Sequence, residues 1–246
     1  MTKPLPTGAQ IFEDNAQDYD AWFDTDKGRM LFQIELDCLR SLKEEGQSEN
    51  HSRNHDAAWL EVGVGSGRFA QALGITHGVE PAAAMASLAQ ARGIKTCIGL
   101  GEQLPYADAS FDGVLMVCTI CFVQDLVKVL AQCHRVLKPG GQVVIGFVPL
   151  DSVWGQHHSA RGKSGHTYYA GARFYRAAEL IELAQAAGLT LTQTRSVELP
   201  APQTGSRQDA GTGHDSTEAD SFCVMRFGKP TETQQNQPTS TRPPEQ

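Results

Sequence analysis

The stretch Trp59-Leu60-Glu61-Val62-Gly63-Val64-Gly65-Ser66-Gly67-Arg68 constrains this chain more than any other. An apolar run of strand character ends in an acid and alternating glycines. A short helical pattern then follows at once (Phe69, Ala70, Ala72, Leu73) and stops at Gly74. Glycines placed between a strand and a helix let a ligand lie against bare backbone, facing amide N–H groups and the helix N-terminus. The spacing is G-x-G-x-G, which differs from the G-x-G-x-x-G of dinucleotide binders.

The next residues extend the pattern. Ile75 to Glu80 reads as a second strand that closes on an acid. Pro81 to Arg92 is Ala-rich, with Pro at the expected first helical position and Gly93 just past the end, the usual punctuation of a helix. A β-α-β unit with a glycine-rich first turn and an acid ending strand two can hold the ribose of a nucleoside, its carboxylate accepting from both hydroxyls. The plainer alternative is a solvated glutamate at a strand end.

A chain of 246 residues, 40% hydrophobic and 20% charged, is long enough for one substantial α/β domain. Its formal net charge of −7 argues against nucleic acid or an anionic membrane as the main partner. No apolar run approaches the roughly 18 residues of a membrane-spanning helix. The segment opening Met1-Thr2-Lys3-Pro4 has no apolar leader. The six cysteines (38, 97, 118, 121, 133, 223) fall mostly within apolar strand or helix patterns, as reduced thiols would. A cytoplasmic location is expected.

The sequence divides into an N-terminal helical cap and polar connection (1–56), a domain (57–228) and a tail (229–246). In the cap, the first eight residues are Pro-rich and expected to be loose. Aromatics Phe12, Tyr19, Trp22 and Phe23 follow, then a helical pattern from Arg29 to Leu42. His51 and His55 lie in a polar connection without other metal-binding residue types and read as exposed. Beyond the β-α-β unit, Lys95–Gly99 is a third strand and Phe111–Cys118 an apolar, doubly buried fourth. Gln124–Lys138 is a helix ending on basic residues and Pro139-Gly140-Gly141, and Val143–Val148 is the fifth strand. Leu150–Arg173 reads as a long polar connection rich in His and Tyr, of the kind that is usually functional. A helix over Ala177–Ala187 and strands over Leu189–Val197 and Ser221–Phe227 complete the domain, with a polar insertion at Pro200–Asp220. The tail beyond Lys229 is too polar to pack and is expected to be disordered.

Together these residues resemble the class I S-adenosylmethionine-dependent methyltransferases, in the small-molecule group that includes the ubiquinone and menaquinone C-methyltransferases (a methyltransferase type 11 domain). The matching pieces are Glu61-Val-Gly-Val-Gly-Ser-Gly67, Gly78-Val-Glu80-Pro81, Gly101-Glu102-Gln103-Leu104-Pro105, Ser110-Phe111-Asp112 and His134 to Gly141. The resemblance implies a Rossmann-like, doubly wound, seven-stranded and mostly parallel sheet with its last strand antiparallel. It implies S-adenosyl-L-methionine as cofactor and a small molecule as partner, with neither nucleic acid nor membrane. Glu61, Gly63, Gly65 and Gly67 would hold the methionine part of the cofactor, and Glu80 the ribose. Gly101 and Glu102 would flank adenine, Cys118 and Thr119 would line the methionine end, and Tyr19 would close over it. Many relatives carry an Asp just before the position of Gly101, where this chain has Leu100.

Methyl transfer from a sulfonium is an in-line displacement whose leaving group departs neutral, so alignment in a water-poor site can supply most of the acceleration. No catalytic residue is assigned. Trp22, His157, His158, Tyr168, Tyr169 and Arg173 are candidates for contact with the acceptor. His166 is a further candidate base, and Arg173, Tyr175 and Arg176 could grip an anion. Cys118-x-x-Cys121 reads as buried, inert thiols, and no metal is expected. The alternative function is a non-catalytic nucleoside-binding protein or an NAD-dependent oxidoreductase of the same Rossmann-like class.

Overall fold

In the computed structural model, residues 5, 7–45, 57–202 and 221–231 are described. The histidine-bearing connection, most of the insertion after Pro200 and most of the tail therefore lie outside the described residues.

Seven strands form a single sheet in the order β3-β2-β1-β4-β5-β7-β6. The first is β1 (Trp59–Val62), buried at every position, as a strand covered on both faces should be. It pairs in parallel with β2 (His77–Glu80) on one side and β4 (Phe111–Val117) on the other. Beyond β2 lies the edge strand β3 (Lys95–Ile98), and beyond β4 lies β5 (Leu137–Phe147), both again parallel. The last strand, β7 (Phe222–Gly228), inserts antiparallel between β5 and β6 (Thr190–Val197). Strand order reverses between β1 and β4, so the crevice at their carboxyl ends is where an open α/β sheet takes a ligand.

Three helices cap that crevice: α1 (Thr7–Asp14), α2 (Ala16–Trp22) and α3 (Asp26–Glu45). Helix α3 lays Leu31, Leu39 and Leu42 into the core. Met30, placed in its apolar pattern by sequence, is 43% exposed. Crossovers are made by α4 (Arg68–Ala72), α5 (Ala83–Ala91) and α6 (Leu126–Val136). Helix α7 (Val153–Lys163) and α8 (Ala177–Ala186) follow β5.

Several boundaries differ from expectation for identifiable reasons. Thr7 and Gly8, expected to be loose, begin α1, and a side chain on Gly8 would run into the Phe122 carbonyl. Pro81 precedes α5 by two residues rather than opening it, because Glu80 reaches past it to accept from the Ala82 amide at 3.0 Å. Helix α6 stops at Val136, where Lys229 Nζ donates to the carbonyls of His134 (2.8 Å) and Leu137 (2.7 Å). The following Leu137-Lys138-Pro139-Gly140-Gly141 therefore belongs to β5. The supposed connection Leu150–Arg173 contains α7, capped by Ser152 Oγ, which accepts from the Gly155 amide at 3.0 Å. Only Trp154 and Gly155 of that helix are buried, so it has no apolar stripe for a periodicity reading to find.

Candidate functional site

The turn after β1 forces a left-handed backbone at three places, with φ of +71° at Gly63, +54° at Gly65 and +85° at Gly67. This is a geometry that glycine adopts without a Cβ penalty. The amides of Gly63 and Val64 both donate to the Val79 carbonyl, at 2.8 and 3.1 Å, which folds the turn back over β2. Glu80 fastens it from below: one carboxylate oxygen accepts from the Gly65 amide at 2.9 Å, the other from Ala82. Burial pushes the Glu80 pKa up, and these two amides pull against that push. A cavity opens beside the turn, walled by Gly63, Gly65, Glu80, Leu100, Gly101 and Glu102. Cys118 and Thr119, at the end of β4, and Tyr19 of the cap complete it. Glu102 also holds the next loop, accepting from the amides of Gln124 (2.8 Å) and Asp125 (3.2 Å).

The cap is tied to this turn by charge. Asp20 on α2 receives Arg68 Nε at 2.7 Å and Arg92 Nη2 at 2.7 Å, and Arg92 also donates to the Ser66 carbonyl at 2.8 Å. The Asp20 side chain is only 14% exposed. Burial alone would raise its pKa, but hydrogen bonds from Arg68, Ser66 and Arg92 overcome this and hold it at about 2. Glu13 of α1 makes a second tie, accepting from the Ala84 amide at 2.9 Å and so capping α5, which has no side-chain cap of its own. Because the Asp20 pKa lies below its ordinary 3.8, its stabilisation is complete above that value and is lost as pH falls through about 2. Asp20→Ala should therefore cost about 1–2 kcal/mol at neutral pH after allowance for solvent screening. Urea midpoints should show that difference closing in strong acid, and a constant difference down to the lowest pH would contradict it.

A larger cavity of about 490 Å³ adjoins the first and shares Gly63, Gly65, Phe12, Tyr19 and Cys118 with it. Its walls are aromatic. Tyr19 sits edge-on to Phe12 at 5.2 Å and 5.7 Å from Tyr168, so the cap meets the segment after α7 there. Trp154 is anchored by a hydrogen bond to the Pro200 carbonyl at 3.0 Å. His158 stacks 4.3 Å from Tyr169, and burial together with nearby His157 and Arg161 lowers its pKa to about 4, leaving a neutral ring whose Nδ1 is buried without a partner. Besides the exposed Asp18, two carboxyls face this space. Glu61 is 2% exposed, its Oε2 has no hydrogen-bond partner, and burial drives its pKa well up. Glu35 of α3 is the other.

Residues 60–145 match the methyltransferase domain family. The chain is 35% identical over 215 residues to an uncharacterized protein of Mycobacterium tuberculosis, covering 87% of this chain and 72% of that one. It is 31% identical to a Thermotoga maritima S-adenosylmethionine-dependent methyltransferase, described as a possible histamine N-methyltransferase. That crystal structure superposes with a TM-score of 0.74 over 90% of this chain and 99% of its own. The fold is shared further with magnesium protoporphyrin IX methyltransferase from Synechocystis with bound S-adenosylhomocysteine, at 13% identity, TM-score 0.63, and coverage of 90% and 99%. This chain is an S-adenosylmethionine-dependent methyltransferase.

The residues of the methyltransferase fit that cofactor on their own chemistry. Glu61 offers a buried, unpartnered carboxylate oxygen to an ammonium group, and a Cβ built on Gly65 meets nothing within 4 Å, so the turn is open where a ligand would lie. Of the residues singled out by sequence, Tyr19, Gly63, Gly65, Glu80, Gly101, Glu102, Cys118 and Thr119 border the smaller cavity and Glu61 the larger. Gly67 borders neither; it packs against α5, where a Cβ would stand 3.0 Å from Ala89. Trp22, His158, His166, Tyr168, Tyr169 and Tyr175 border the larger cavity. His157 and Arg173 do not. Arg173 pairs with Glu179 at 2.6 Å and lies over the Tyr175 ring, and Arg176 precedes α8 as its cap residue. Burial raises the thiols of Cys118 and Cys121, the latter to about 12, so both stay protonated. Sequence reading missed Glu35 and the Asp20–Arg68–Arg92 cluster. Glu35 was findable, since it stands four residues after Leu31 and four before Leu39 on the buried stripe of α3.

Proposed function

We propose that the smaller cavity takes the adenosine of S-adenosylmethionine, with the methionine end passing Gly63 and Gly65 toward Glu61, and that the larger cavity takes a small-molecule acceptor. The observation that carries this reading is that the two cavities join at Gly63, Gly65, Tyr19 and Cys118, so a donor in one can meet an acceptor in the other. When bound, the cofactor supplies an electrophilic methyl group on a sulfonium. Glu80 has already given each oxygen to one amide, but a carboxylate oxygen has a second lone pair, which leaves acceptors for the ribose hydroxyls. The Leu100 side chain offers adenine an apolar face, which leaves hydrogen bonding there to backbone groups. Phe12, Tyr19 and Tyr168 close over the junction and keep water from it. Trp22, His158, Tyr168 and Tyr169 would contact the acceptor. Residues 57–228 form the transferase domain in this reading, and the cap before them completes the site. The enclosed aromatic cavity and the net charge of −7 favour a small molecule over nucleic acid. The six free cysteines favour a reducing compartment such as the cytoplasm.

Titration calorimetry with S-adenosylmethionine, S-adenosylhomocysteine and NAD tests the cofactor reading: the first two should bind and NAD should not. Glu80→Ala should weaken binding by roughly 1–3 kcal/mol. It should also lower the melting temperature, because the Gly65 and Ala82 amides lose their acceptor. Unchanged affinity in the folded variant would remove Glu80 from the ribose site.

A further inference from the structure

Glu35 is a carboxyl that nothing in the fold requires. It stands among Leu31, Leu39 and Leu42 on the inward stripe of α3, where an apolar residue would pack at no cost. Its side chain is half-buried, opens onto the larger cavity, and has no hydrogen-bond or ion-pair partner among the described residues. It lies within electrostatic reach of Tyr19 and Cys118, which border both cavities, and of Tyr169 in the larger one. The cavity it opens onto is lined by the rings of Tyr19, Phe23, Trp154, Tyr168 and Tyr169.

Resting on the two-cavity reading above, we propose that the acceptor is an amine, and that Glu35 is the group that holds its ammonium form beside the methyl donor and takes its proton. A carboxylate inside an aromatic box is the arrangement that selects an organic cation, by ion pairing and by cation–π attraction together. It selects against carboxylates and phenolates, which it repels. Three cations also border the cavity, and each is otherwise engaged or peripheral. Arg68 is paired with Asp20 and Asp24, while Lys27 and Arg161 are exposed at the rim, over the rings of Trp154 and Tyr169. An ammonium has no lone pair to donate. Once it passes one proton to Glu35, its nitrogen forms the new bond to the methyl carbon while the carbon–sulfur bond breaks and leaves its electron pair on sulfur. The product is a methylated ammonium and a neutral thioether, so charge is conserved. A free Glu35 carboxyl is set by burial at about 8, a value from which it can both release and accept a proton near neutrality.

Trp22 and Trp154 border the cavity, so their fluorescence reports its occupancy. The test is equilibrium titration of the protein saturated with S-adenosylhomocysteine by three probes of one shape: 2-phenylethylamine, 2-phenylethanol and phenylacetate. It is run at about pH 8.5, where Glu35 is ionised and the amine is still protonated. The amine should bind at least about tenfold more tightly than either counterpart, and Glu35→Gln should erase that preference while still binding S-adenosylhomocysteine. No preference for the amine, whether all three bind alike or none binds, overturns the proposal, as does a preference that survives in Glu35→Gln. Failure of S-adenosylhomocysteine itself to bind would bring down the cofactor reading, and this one with it. Normal cofactor binding with no amine preference would bring down this one alone.

Discussion

Gly65→Ala should give a folded protein that binds S-adenosylmethionine at least about a hundredfold more weakly, an effect of about 3 kcal/mol. The left-handed φ of +54° costs an alanine about 1–2 kcal/mol, which a domain of this size tolerates. The new methyl meets no protein atom within 4 Å, so it must project into the space where the cofactor lies. Gly63→Ala should behave in the opposite way. Its Cβ would stand 2.4 Å from Thr119 Cγ2 and 2.6 Å from its Oγ1, on a backbone at φ +71°. Overlap and backbone strain together should cost roughly 3 kcal/mol or more of stability. Circular dichroism melts separate the two variants by stability, and calorimetry separates them by affinity. A Gly65→Ala protein with the wild-type dissociation constant would show that the cofactor does not cross this turn.

Glu35→Gln should stabilise the protein at alkaline pH by about 1–3 kcal/mol, the order expected from removing a half-buried, unpaired charge. Burial raises the native-state pKa from the ordinary 4.5 to about 8. The folded state therefore holds the proton more tightly than the unfolded chain. Stability is greatest where both states are protonated, falls as pH rises from 4.5 toward 8, and levels off beyond. Glutamine is neutral throughout, so the gap between the two proteins should open across that window and be absent below it. Tyr19, Tyr169 and Cys118 face Glu35, and all have pKa values raised by burial, so none of them ionises there. Denaturant midpoints over this pH range decide the matter, and parallel curves would show that Glu35 is solvated.

The strand–glycine–helix run, the acid on β2 and the apolar β4 made the parallel half of the sheet legible, because each is local: a short window of sequence carries the whole signal. What was not legible is built from distant partners. Lys229 decides where α6 ends, across more than ninety positions. Asp20 reads as one more acid in a polar stretch until the fold brings Arg68 and Arg92 to it. Helix α7 contains two glycines and turns almost no apolar residue inward, so neither propensity nor periodicity announced it. His157 and His158 are neighbours in sequence and indistinguishable by composition, yet the helix turns only His158 into the cavity. Gly67 shares a motif with Gly63 and Gly65 but serves helix packing, a division of labour that spacing alone does not encode.

Phe12 and Tyr19 wall both cavities, and this ties the two chambers to one cap. Phe12 belongs to α1 and Tyr19 to α2, so a substitution in either helix reaches the donor chamber and the acceptor chamber together.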